Sequence, residues 1–108
     1  MKRTIIESPL KGDYEKNRAY AIRCWHDSRK RGEAPYASHL YIAQPDLLDD
    51  TDPEQRRQGM EIGFAWGEAA ELVAVYTDLG ISEGMALGIA RHESNGVPVE
   101  YRKIGFVG

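Results

Sequence analysis

The stretch that most constrains this chain is ELVAVYTDLGISEGMALGIARHESNGVPVEYRKI, residues 71–104. The uncharged run Leu72 to Tyr76 has the composition of a buried strand. It stops at Thr77-Asp78, and Gly80 permits a sharp turn. Ser82 is a suitable helix cap, and Gly84-Met85-Ala86 open a helix that Asn95-Gly96 ends near Ser94. Val97 to Tyr101 then starts a second strand. Strand, helix and strand in this order form a βαβ unit, which places the two strands parallel in one sheet. In such units, small polar or anionic ligands gather at the strand-to-helix turn.

The rest of the chain supplies further units of the same kind. Arg3 to Glu7 reads as a short buried strand, ended by Ser8-Pro9 and a loop that turns at Gly12. Asp13 caps a helix running to about Arg31, with Tyr14, Ala21, Cys24, Trp25 and Ser28 near helical spacing and Gly32 at its C-terminus. Ala34-Pro35-Tyr36 is expected as a very short strand, because Pro35 argues against a long central one, with a helical turn from Ser38. Gln44 to Pro53 is an acidic loop carrying Pro45, Asp46, Asp49, Asp50 and Asp52. It lacks the central glycine and distal glutamate of a calcium loop. Asp52-Pro53-Glu54 instead makes a good helix start: cap, proline at the first position, acid in the first turn. The element order is β, α, short β, α, β, α, β. Right-handed crossovers turn this into a three-layer α/β sandwich around a small, mostly parallel sheet, a single domain over residues 1–108.

The helix from Pro53 to about Ala70 contains Gly59, Gly63 and Gly67, four residues apart. Each costs about 1 kcal/mol relative to alanine in a helix interior. Such a stripe is tolerated where something must come close to that face. The polar flanks exclude membrane-type helix pairing. A subunit interface is expected ahead of internal packing, and with it a homo-oligomer.

Charge and cysteine content narrow the function classes. A net charge of −3 and a pI near 5.6 argue against a general nucleic-acid surface. The basic cluster Arg29-Lys30-Arg31 falls where it complements a helix C-terminus. A lone cysteine, Cys24, excludes an internal disulfide framework and fits a reducing, cytoplasmic setting. No run reaches transmembrane length and no signal-peptide apolar segment is seen, so no membrane partner is expected.

At the carboxyl ends of parallel strands, three loops should converge: Glu7 to Asp13, Tyr36 to Leu40, and Asp78 to Gly84. They bring Glu7, Ser8, Ser38, His39, Asp78, Ser82 and Glu83 together. The amides of Ser82, Glu83, Gly84 and Met85, with the Ser82 hydroxyl, form a seat for phosphate or carboxylate, and Gly80 and Gly84 let a ligand approach the backbone. A capped helix with Asp78 satisfying loop amides is the structural alternative. His39 is the one histidine on these loops; His26 and His92 fall on helices as surface or packing residues. No metal-ligand spacing, serine elbow or phosphate loop occurs, and no cofactor is called for. The carboxylates Glu7, Asp78 and Glu83 remain as nucleophiles or general bases.

Ser8-Pro9, Pro35-Tyr36-Ala37-Ser38-His39-Leu40, and Asp78-Leu79-Gly80-Ile81-Ser82-Glu83-Gly84-Met85 followed by Pro98-Val99-Glu100-Tyr101-Arg102 resemble the nucleoside 2-deoxyribosyltransferase-like proteins, and more closely their small, often phage-encoded members. The resemblance implies a flavodoxin- or Rossmann-like fold, a nucleoside or nucleotide ligand, and oligomers in which a neighbour completes the pocket. It also implies that a glutamate early in the helix after the turn attacks the sugar's anomeric carbon, while an aspartate at the strand end handles the base. Asp78 matches that aspartate. The nucleophile's place falls near Gly88, which carries no side chain.

Two functions follow as expectations. One is a nucleotide-binding protein that sequesters a nucleotide or cyclic ADP-ribose-type signal, in a phage setting to counter host immunity. Ser8, Pro9, Leu10, Ser38, His39, Asp78, Gly80, Ser82, Glu83, Gly84 and Met85 would then line the site, with the base stacked on Tyr14, Tyr20 or Tyr36. The other is an N-glycosidase or deoxyribosyltransferase with Glu83 or Glu7 as nucleophile. A structural oligomer with a vestigial pocket is a third.

Overall fold

The computed structural model describes residues 1–42, 44 and 46–107; the expected turn proline, Pro45, lies outside them. The elements are β1 (Arg3–Glu7), α1 (Tyr14–Lys30), β2 (Ala34–Tyr36), α2 (Ser38–Ile42), α3 (Pro53–Gly67), β3 (Leu72–Tyr76), α4 (Glu83–Ser94) and β4 (Val99–Arg102). The strands form one sheet in the order β2-β1-β3-β4, every pair parallel. This is the Rossmann/flavodoxin-like α/β architecture expected from the element order. The helix starts are made by the expected residues. Asp13 accepts from the Lys16 amide, Asp52 from those of Glu54 and Gln55, and Ser82 from that of Met85.

Strand periodicity divides the core into two. Ile5, Val73 and Val75 point to one face and pack with Met85, Ile89 and Val97. Ile6, Ala74 and Tyr76 point to the other and pack with Tyr20, Cys24 and Ala37. Successive residues of a strand face opposite sides, so a central strand needs apolar residues at every position. The continuous burial of β3 from Leu72 to Tyr76 meets that need. Connections to β2 and β4 run outward in opposite directions from the sheet centre, so right-handed crossovers put α1 and α4 on opposite faces. The inner face of α1 is rotated from the expected one. Tyr14 is exposed, while Asn17 and Tyr20 join Ala21, Cys24 and Ser28 inside.

The glycine stripe of α3 faces the protein's own interior, which corrects the expected subunit interface. A Cβ on Gly59 would lie 3.1 Å from Ile42 Cγ2, and one on Gly63 would lie 2.8 Å from Ser38 Oγ. At Gly67 it would overlap the His92 ring and lie 2.9 Å from its Nδ1. The stripe thus lets α3 close onto α2 and the inner side of α4. The outward side of α3 carries the exposed Ile62 and Trp66.

Alanine normally stabilises a helix relative to glycine by about 1 kcal/mol. At Gly67 the overlap with His92 reverses the sign: Gly67→Ala is expected to destabilise the fold by about 1–3 kcal/mol. Urea unfolding at pH 7 measures this, and a midpoint equal to or above wild type contradicts the packing described.

Candidate functional site

The loops after β1 and β3, the short helix α2 and the inner faces of α3 and α4 enclose a cavity of about 350 Å³. That volume suits a small organic ligand. Among the expected site residues, Glu7, Ser8, Leu10, Ser38, His39, Ser82, Glu83, Gly84 and Met85 line it. Leu10, Lys11 and Gly12 continue into an adjoining groove that Tyr14 also lines.

Several expected residues serve the fold elsewhere. Tyr20 is fully buried beneath Phe106 on the opposite face of the sheet, with no ring surface left for a base. Its hydroxyl donates to Asp78 Oδ1 at 2.7 Å and accepts from the Asp78 amide at 2.9 Å. The Asp78 carboxylate also accepts from the amides of Ile104, Gly105 and Phe106, at 2.8–3.2 Å. Burial pulls this carboxyl upward, but the hydrogen bonds outweigh it and hold it below the usual range. Asp78 is therefore the fastener of the segment after β4, the structural alternative for this residue. Pro9 and Gly80 do not line the cavity. Tyr36 packs against the Ile5 cluster and, 6.4 Å between ring centroids, against Trp66.

The centre of the cavity is Glu7. It is the last residue of β1, an interior strand, and its side chain is only 15 % exposed. It reaches the space that a side chain on Gly88 would fill: a Cβ there would sit 2.6 Å from Glu7 Oε1 and 3.1 Å from Oε2. Burial raises its carboxyl to about 8, so it carries a proton at neutral pH. His92 Nε2 lies 3.9 Å from Glu7 Oε1. Its ring is 2 % exposed, and its Nδ1 has no hydrogen-bond partner. Burial, with the charge of Arg91 second, lowers its pKa. Both shifts favour the neutral form at pH 7.

Beside them, Ser8 Oγ and His39 Nε2 are 2.7 Å apart. Burial drops the His39 pKa to about 4, which leaves a neutral imidazole able to orient the serine hydroxyl. At the mouth, α4 begins at the Ser82 cap. The Arg56 guanidinium lies beside it, with Nη2 3.2 Å from where a Cβ on Gly84 would be. Arg56 is already paired with a carboxylate, its Nε 3.9 Å from Asp50 Oδ2, and the helix N-terminus beside it adds a second positive end that favours an anion here. Glu83 is exposed at this mouth, away from the cavity floor. Among the described residues, no group of three or more His, Cys, Asp and Glu is arranged to hold a metal ion. No helix among them is long and apolar enough to cross a membrane.

Arg56, Met60, Phe64 and His92 also line the cavity and were not expected there. A signal for them existed. Met85, Gly88, Ile89 and His92 follow the spacing of one buried helical stripe, and Arg56, Met60 and Gly63 follow another. Of the surface and packing roles expected for His92, its burial excludes the surface.

A buried acid carries a signature in stability. Below about pH 4.5 Glu7 is protonated in both folded and unfolded chains, and the raised value has no effect. Between 4.5 and about 8 the unfolded chain releases the proton while the folded one keeps it, so stability falls as pH rises through this window. Glu7→Gln removes this loss. The variant is expected to melt well above wild type at pH 8 and close to it at pH 4.5; equal increments at both pH values would contradict the buried acid.

Residues 2–102 match a family model described as a domain of unknown function (DUF7768). No curated protein matches the chain. Among solved structures, a 2-deoxyribosyltransferase from the psychrotolerant bacterium Bacillus psychrosaccharolyticus, characterised as a biocatalyst for nucleoside synthesis, superposes with a TM-score of 0.69 at 12 % identity. The match covers 98 % of this chain and 76 % of that one. At such identity it is a likeness of fold.

Proposed function

The chain belongs to the DUF7768 family, and we propose that it is an enzyme that breaks the N-glycosidic bond of a nucleoside or nucleotide, with Glu7 as the reacting carboxylate. The observation that carries this reading is the overlap of the Glu7 carboxyl with the space in front of Gly88. The resemblance to deoxyribosyltransferase-like proteins expects a carboxylate at that point from the helix. Here a strand residue supplies one to the same volume, and the helix position is glycine, which leaves room for it.

The rest of the cavity supports the assignment of parts. The sugar sits over Glu7 and His92. Ser8, oriented by His39, and Ser38 meet its hydroxyls. A 5′-phosphate would lie between Arg56 and the first turn of α4. The base would extend along Met60, Phe64 and Leu10. In the reaction, a Glu7 oxygen forms an ester bond to the anomeric carbon while the carbon–nitrogen bond breaks and its electron pair leaves on the base, which takes up a proton. Water then cleaves the ester, or a second base accepts the sugar. Glu83, the other expected nucleophile, takes no part.

One observation favours a second reading. A carboxyl protonated at neutral pH is a hydrogen-bond donor, suited to hold a ligand without attacking it. On that reading the same cavity sequesters a nucleotide or cyclic ADP-ribose-type molecule, the function expected of a phage protein directed against host immune signalling.

Incubation with deoxynucleosides, their 5′-monophosphates and cyclic ADP-ribose isomers, followed by chromatography, separates the two. Release of free base is expected from at least one substrate, with Glu7→Gln lowering the rate at least about 100-fold and Glu83→Gln leaving it near wild type. Tight complexes from which every ligand is recovered intact after heat denaturation would overturn the enzyme reading in favour of sequestration.

A further inference from the structure

We propose that Glu7 and His92 act as one proton-exchanging pair, in which His92 Nε2 takes the Glu7 carboxyl proton as a ligand is seated and so frees the carboxylate to react. The assignment rests on Glu7 as the reacting group, and it gives His92 the role of general base toward Glu7 and proton donor to the departing base.

Four features of the packing converge on this pair. Nε2 and Oε1 are 3.9 Å apart, a small side-chain adjustment from hydrogen-bonding distance. Two glycines on two different helices make the room. Gly67 on α3 has no side chain where the imidazole lies, and Gly88 on α4 has none where the carboxyl lies. A single methyl at either place would collide with one partner. The Phe64 ring also meets the imidazole edge-on, 5.9 Å between centroids. A buried histidine whose Nδ1 has no partner is an unusual feature to retain for packing alone, since an unpaired buried polar atom destabilises the fold.

Burial favours the neutral form of both members of the pair. On α4, Arg91 is adjacent to His92 and opposes its protonation. From α3 the contacts are Phe64 and Gly67, neither of them charged, and Arg56 of that helix stands at the mouth beside Gly84; the other charged residues lining the cavity are Lys11, Asp50 and Glu83. From α2, His39 is neutral and bonded to Ser8. Beneath lie Met85, Ile89 and Ile5. In the exchange the Glu7 O–H bond breaks and an N–H bond forms on His92 Nε2, giving carboxylate and imidazolium with no change in net charge. Positive charge developing at the anomeric carbon favours the carboxylate side of the exchange. The departing base then receives the proton, directly or through water, and the pair returns to its starting state after hydrolysis.

The test reads the histidine itself. In protein labelled with ¹⁵N at histidine, the ring nitrogens of His92 are followed from pH 4 to 10. A coupled pair titrates in two macroscopic steps. In wild type the His92 nitrogens are expected to shift a second time near pH 8, together with the Glu7 carboxyl, and in Glu7→Gln that second step vanishes. A single wild-type step that overlays the Glu7→Gln curve would overturn the pair. The kinetic arm uses His92→Gln, which keeps a polar head of similar reach. The pH midpoint of kcat for base release is expected to rise by at least one unit, with kcat at pH 6.5 falling about tenfold and KM little changed. An equal fall at every pH, or a change in KM alone, would contradict it. If wild type releases no base from any nucleoside, the functional reading falls, and the pair still stands or falls on the nitrogen titration.

Discussion

The site depends on one constraint: a carboxyl group is buried at the end of an interior strand, and among the described residues no lysine or arginine forms an ion pair with it. Water would favour its ionised form, and burial in the cavity reverses that preference, so Glu7 holds its proton near pH 7. The fold supports this cost from several directions. β1 is held between β2 and β3, which fixes the height of Glu7 at the carboxyl edge of the sheet. Gly88 yields the volume, and His92 supplies a neutral polar neighbour. A residue held this way destabilises the folded chain, and such residues recur where chemistry needs a group poised between two protonation states.

The same constraint explains the glycines. In the helix facing the sheet, Gly88 is buried between Met85 and His92 on the stripe that would otherwise be apolar. In α3 the three glycines admit α2, the Ser38 side chain and the His92 ring. The helices close on the cavity because a glycine on one stands opposite a side chain of the other: Gly67 of α3 opposite the His92 ring, and Gly84 of α4 opposite Arg56. Propensity lost along α3 is thus exchanged for a site with fixed walls. The opposite face of the sheet follows another rule. There Tyr20, Asp78 and the amides of residues 104–106 form a satisfied polar cluster that seals the segment after β4.

Much of this was legible in the residues. The apolar run Leu72 to Tyr76, the caps Asp13, Asp52 and Ser82, and the proline that shortens β2 each act through local chemistry, so the elements and their parallel order could be read from them. The convergence of the loops after β1 and β3 with α2 followed from topology alone, and it brought Glu7, Ser8, Ser38, His39 and Ser82 to one place. What could not be read depends on contacts between distant positions. Asp78 at a strand end suits a ligand and an amide cluster equally well, and only the return of residues 104–106 decides between them. A glycine stripe says that something comes close without saying what. Gly88 read alone signified a missing carboxylate. The space in front of it is filled by Glu7, 81 positions earlier in the chain (88 − 7), and no local pattern connects the two. His92 fell on a legible buried stripe, but its neighbour Glu7 lies on another element.

The most direct measurement of the central claim is the mass of the Glu7 peptide after reaction. Protein quenched in acid during turnover of a deoxynucleoside is digested and its peptides weighed. A deoxyribosyl adduct on the peptide containing Glu7, absent from Glu7→Gln, is the result predicted. Base release with Glu7 unmodified and the sugar found on Glu83 would contradict the claim that the strand, in place of the helix, supplies the reacting carboxylate.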